Sequence, residues 1–125
     1  MKKIIYILFC ILIFKNSLIA QIKEVKENGF SINVYNKRGE KTGSYTLQNE
    51  NEEYLDHNAT YFLIKRMNSI LVFDSKGRQF SKRPISVANN RSFSQITEKS
   101  IWIEDGPSTY YYDFSGNRLS NYSEE

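Results

Sequence analysis

Few residues in this chain could do acid–base chemistry, and they are badly spaced for it. The sole histidine, His57, directly follows Asp56. A carboxylate beside an imidazole can steer a general acid–base. Adjacent residues in an extended segment, however, point to opposite faces. Glu104 and Asp105 are the other candidate carboxylates for hydrolysis of a glycan, and they are adjacent too. No serine or cysteine motif marks a nucleophile, no second histidine completes a metal site, and no glycine-rich stretch forms a phosphate loop. The sequence calls for no cofactor and no metal.

The stronger surface chemistry is aromatic. Trp102 lies shortly before three consecutive tyrosines, Tyr110, Tyr111 and Tyr112. Such side chains join apolar area to a polar handle and anchor protein interfaces. In a strand, Tyr110 and Tyr112 must oppose Tyr111. One face of that strand can enter a core while the other meets a partner.

What positions these residues is a phrase written more than once. VFDSKGRQF at 72–80 matches YYDFSGNRL at 111–119, so Asp74 and Asp113 stand 39 residues apart, as do Gly77 and Gly116. A third version, FSINVYNKRG at 30–39, puts Asn36 and Gly39 at the same two places. An Asp or Asn side chain can accept hydrogen bonds from backbone N–H groups downstream, and Gly three positions on supplies a positive φ. These six residues are therefore read as structural turns. A calcium loop would need further oxygen ligands, which Ser75 and Lys76 do not add.

Alternation of period two surrounds each turn and predicts strands. Ile32 and Val34 share one side, and Ile101 and Ile103 share another. Leu71 and Phe73 oppose Ile70 and Val72, so both faces of that strand are expected to be covered. The joins read less clearly. Gln48–Asp56 is polar, with a helical turn expected near Glu52–Leu55, while Phe93 matches Tyr54 at the same spacing. The join can thus add a strand to each unit, giving three or four.

The segments SILVFDSKGRQF, TYYYDFSGNRLS and FSINVYNKRGEK resemble the blades of a β-propeller and, more faintly, the WG-type hairpin repeats of bacterial envelope proteins. The resemblance implies an all-β chain of repeated antiparallel hairpins. With so few copies, the expected fold is one curled sheet, two packed sheets, or an incomplete propeller-like arrangement.

The first twenty residues stand apart. Lys2 and Lys3 precede an unbroken apolar run, Ile4–Phe14, and a polar break leads to Ala20. This is the layout of a signal peptide cleaved after Ala20, leaving 21–125 as a single β-repeat domain. The run is short for a membrane span, so no mature transmembrane segment is expected. Cys10 is the only cysteine and falls within the leader, so the exported chain has no disulfide. A bacterial periplasm or extracellular space fits that. Of the 17 Lys and Arg residues, Lys2, Lys3 and Lys15 also belong to the leader, and the remainder balance the 14 acids. A formally neutral chain gives no broad case for nucleic-acid binding. Locally, Arg78, Lys82, Arg83 and Arg91 form an acid-free stretch suited to an anionic partner or to a solvated face.

The leading expectation is a non-catalytic secreted or envelope protein that binds a protein partner through Trp102, Tyr110, Tyr111 and Tyr112. An inhibitor or neutralising protein is one form of it, and self-association is a further arrangement. The alternative is an envelope hydrolase acting on a glycan with Glu104, Asp105 or the Asp56–His57 region.

Overall fold

The computed structural model describes residues 21–119, so the expected signal peptide, residues 1–20, and residues 120–125 lie outside the described part. Three antiparallel sheets follow one another along the chain. The first contains β1 (Ile22–Asn28), β2 (Ser31–Asn36) and β3 (Lys41–Thr46). The second contains β4 (Glu52–His57), β5 (Tyr61–Arg66), β6 (Ser69–Asp74) and β7 (Ile85–Ser86). The third contains β8 (Arg91–Ile96), β9 (Ile101–Asp105), β10 (Ser108–Tyr112) and β11 (Arg118–Leu119). Among the described residues every strand pairs only with its neighbours in sequence, no sheet closes into a barrel, and no helix forms.

The expected all-β fold of repeated antiparallel hairpins is what forms; of the arrangements left open, one curled sheet, two packed sheets or an incomplete propeller-like set, the chain takes three packed sheets. The second sheet makes the third layer possible because it is apolar on both sides. Phe62 pairs with Phe73 and Ile64 with Leu71 on one face, while Leu63 pairs with Val72 and Lys65 with Ile70 on the other. The first set joins Ile32, Val34 and Leu47 in a core against the first sheet. Leu63, Ile70 and Val72 of the second set join Ile85, Ile101, Ile103 and Tyr112 in a core against the third. Each large apolar side chain so buried contributes about 1.5–3 kcal/mol.

The segment expected to turn helically near Glu52–Leu55 is strand β4. Glu52 pairs with Arg66 and Tyr54 with Ile64, and a bulge between Tyr54 and Asp56 shifts the register. Its polar composition concealed it because an outer strand needs only alternate residues indoors. The join after β6 behaves as its proline suggests: β7 is just two residues long and begins after Pro84.

The three turns share one geometry. Asn36 Oδ1 accepts the N–H groups of Arg38 and Glu40 at 2.9 and 3.0 Å. Asp74 Oδ1 accepts those of Lys76 and Arg78 at 2.9 and 3.1 Å, and Asp113 Oδ1 those of Ser115 and Asn117 at 3.1 and 2.8 Å. The glycines adopt positive φ in all three turns, as the turn chemistry requires.

Gly77 and Gly116 have a second reason to be glycine. A Cβ on Gly77 would lie 2.1 Å from the Ser44 carbonyl oxygen, and one on Gly116 2.1 Å from that of Arg83. Each turn is thus pressed against the backbone of the sheet before it. Thr42 Oγ1 donates to Ser75 O at 2.9 Å, and the N–H groups of Lys82 and Arg83 donate to Ser115 O at 3.2 Å. These contacts gather the three turns at one end of the stack, called here the turn end. Sheet stacking and hydrogen bonding are therefore tied together at a short, fixed separation. Gly39 also has positive φ, but a Cβ on it would meet nothing within 4 Å, since no described sheet precedes its own.

Candidate partner-binding face

Alternation along β9 and β10 sorts the four aromatic candidates into two pairs. Tyr112 pairs with Ile101 and Tyr110 with Ile103, all toward the middle sheet. Tyr111 pairs with Trp102 on the opposite, outer face. The Trp102 and Tyr111 rings meet edge to face, with centroids 5.2 Å apart and planes at 89°. The indole Nε1–H donates to Ser100 Oγ at 2.9 Å, which fixes the ring's direction. Both side chains are half-buried.

The inner pair is engaged by arginines. Tyr112 is buried, and its hydroxyl accepts a hydrogen bond from the Arg91 guanidinium. That guanidinium lies 5.5 Å from the Tyr110 centroid and 5.6 Å from the Tyr112 centroid. Arg118 sits 3.9 Å from the Tyr110 centroid, so Tyr110 carries a cation from each of two strands. Asp105 Oδ2 lies 3.7 Å from Arg91 Nε. Tyr110 and Tyr112 therefore line the joint between sheets, and the structure does not bring them together with Trp102 and Tyr111.

The two outer faces of the stack differ in kind. Matching by turn register, the middle sheet's core residues Phe62, Ile64, Leu71 and Phe73 correspond in the first sheet to Glu24, Lys26, Asn33 and Tyr35. Lys26 Nζ further covers the Tyr35 ring at 5.2 Å. That face is finished with polar groups, as the terminal layers of stacked proteins are. On the other end of the stack, Leu63, Ile70 and Val72 correspond to Trp102, Thr109 and Tyr111. Here two of the three positions hold large aromatics.

The remaining chemical candidates are dispersed. Glu104 pairs with Thr109 on the outer face and Asp105 with Ser108 on the inner one, so these carboxylates face opposite ways. His57 ends β4, and its Nδ1 shares a 2.7 Å hydrogen bond with the Tyr54 hydroxyl. Asp56 Oδ1 accepts the His57 backbone N–H at 2.8 Å and stands 4.0 Å from His57 Nδ1. Burial, with Asp56 and Glu27 nearby, holds the Tyr54 hydroxyl well above its ordinary pKa. No group of three His, Cys, Asp or Glu arranged for a metal ion occurs among the described residues.

One polar centre escaped sequence reading. The buried Glu52 carboxylate accepts from Arg66 Nε at 2.6 Å, from the Gln48 N–H at 2.5 Å and from the Tyr45 hydroxyl at 3.0 Å. Burial opposes its ionisation, but those three donors outweigh burial and hold its carboxyl below the usual range. Burial is also the main reason the Tyr45 hydroxyl is raised. This network bridges the first two sheets. In sequence, Glu52 was one of several acids in a polar join, with nothing to single it out.

Comparison with protein-family models, curated proteins and solved structures finds no match to this chain.

Proposed function

We propose that this is an exported, non-catalytic binding protein whose partner seats on the outer face of the third sheet, around Trp102 and Tyr111. The observation that carries the reading is the unequal finish of the two outer faces. At positions that are core elsewhere the first sheet has Glu24, Lys26, Asn33 and a single tyrosine covered by Lys26, whereas the third has a tryptophan packed on a tyrosine. A face needed only for solubility would be finished like the first. Edge-to-face packing and the Ser100 bond hold the indole in one orientation, so little rotamer freedom is lost on binding. The bound surface would have an apolar centre and a rim containing Glu104, Thr109 and Gln95. An inhibitor or neutralising protein would work in this way, by covering its target. The stack itself reads as three blade-like units of an unclosed, propeller-like repeat.

The test is affinity capture from the native envelope with three versions of the chain. Wild type and Tyr35→Ala, altered on the polar outer face, should recover the same protein. Trp102→Ala should lose it. Equal recovery by all three would overturn the assignment of this face.

A further inference from the structure

Formal neutrality conceals an uneven distribution of charge along the strand direction. The turn end carries exposed Lys37 and Arg38 from the first turn, Lys76 and Arg78 from the second, and Lys82 and Arg83 from the strand join beside the third. Its carboxylates are fewer, and several are occupied, Glu40 lying 3.8 Å from Arg38 Nε. Asp74 and Asp113 accept turn N–H groups, and Asp74 Oδ2 also stands 3.4 Å from Arg78 Nε. At the opposite end the balance reverses, with Glu50, Glu52, Glu53, Glu104 and Asp105 against Lys65, Arg66 and Arg91.

The basic end also bears an exposed aromatic. Phe80 is 44% exposed. Its ring packs 4.7 Å from that of Tyr61, which in turn stacks 4.7 Å from Phe114 in the third turn. Lys82 and Arg83 follow it closely. Phenylalanine has no polar handle for a sugar hydroxyl or a peptide carbonyl. Its supported ring, set among cations, suits the boundary between headgroups and acyl chains.

We propose that the turn end docks on an anionic lipid bilayer, with the cations of the first two turns and of the Lys82–Arg83 join meeting phosphate headgroups and Phe80 entering the interface. The Gly77 contact with Ser44 and the Gly116 contact with Arg83 hold the sheets at fixed spacing, so the cations of the first two turns and of the Lys82–Arg83 join are presented across a broad end. A planar sheet of charge engages them together, whereas a single linear polyanion meets fewer at once. Docking in this way stands the strands upright on the membrane. The Trp102–Tyr111 face then points sideways, so this proposal does not depend on what that face binds.

The experiment is co-sedimentation of the full chain with vesicles of phosphatidylcholine alone and of phosphatidylcholine mixed with phosphatidylglycerol. The apolar run Ile4–Phe14 and its flanking Lys2, Lys3 and Lys15 are common to wild type and variants, so the change in the ratio of the two affinities on substitution is the readout. Binding to the anionic vesicles should be tighter and should weaken with salt. The double variant Lys82→Glu/Arg83→Glu should reduce that ratio by about thirtyfold or more. Phe80→Ser should weaken anionic-vesicle binding without changing its salt dependence. Lys65→Glu, at the opposite end among Glu50, Met67 and Asn68, should leave the ratio as it is. Equal affinity for the two vesicle types would overturn the proposal. So would an unchanged ratio in the double variant, or binding to soluble heparin without binding to vesicles.

Discussion

Gly116 lies against Arg83 so closely that a Cβ on Gly116 would meet the Arg83 carbonyl oxygen at 2.1 Å. The joint between the second and third sheets therefore has no room for a side chain at that point. Backbone, which cannot rotate away, forms the other wall. Gly116→Ala should cost about 3 kcal/mol, combining left-handed backbone strain with overpacking. Gly39→Ala meets the strain alone and should cost about 1 kcal/mol. Urea unfolding of the two variants gives the comparison, and equal costs would mean that the sheets can move apart.

Glu52 should make the fold acid-sensitive. Its folded carboxyl titrates below its ordinary value because Gln48, Arg66 and Tyr45 donate to it, against the opposing effect of burial. Such a depressed group contributes stability that is fully present above the unfolded pKa and lost as pH falls through the folded one. Glu52→Gln should therefore cost about 2 kcal/mol at neutral pH. The gap between variant and wild type should close as pH falls below the usual carboxylate range. Urea midpoints at neutral and acidic pH would show it.

Removing the indole should separate binding from folding. Trp102 is half-buried and packs edge to face on Tyr111. Trp102→Ala is expected to lower stability by about 1 kcal/mol. Partner affinity should fall about thirtyfold, as for a central interface aromatic. Thermal unfolding and titration against the captured partner measure the two effects separately.

The turn carboxylates can be tested without touching any face. Asp113→Ala removes the acceptor for the Ser115 and Asn117 N–H groups. A loss of about 1.5–3 kcal/mol is expected, in keeping with hydrogen bonds to a charged acceptor. Asp113→Asn, which keeps an oxygen there as Asn36 does in the first turn, should recover much of it. Denaturant unfolding of the pair decides the point.

Much of the architecture was legible because it is written locally. The spacing of Asp74 and Asp113, with Asn36 as a third version, marks turns whose hydrogen bonds span at most four residues. The opposed apolar pairs Ile70–Val72 and Leu71–Phe73 announced a strand covered on both sides. The split of the tyrosine run followed from alternation alone. What could not be read depends on who sits across a gap. Nothing near Arg83 in sequence says that Gly116 will rest on its carbonyl. Nothing in the polar join around Glu52 says that Tyr45 and Arg66 converge there. Strand β4 was obscured for the same reason, since its one fully buried group is a carboxylate and its apolar residues, Tyr54 and Leu55, are only partly covered.

The strictly sequential strand order has a kinetic consequence. Apart from the longer β6–β7 join, each hairpin closes over a short loop, so little chain entropy is lost before its first contacts form, and folding should be fast for an all-β protein. The middle sheet nevertheless cannot rest alone in water. Until β8–β10 arrive, Leu63, Ile70 and Val72 have no cover from the third sheet. The chain should thus collapse quickly within sheets and commit only when the third one docks. A chain cut short before Arg91 would be left with a sticky flank, prone to aggregate with its own copies.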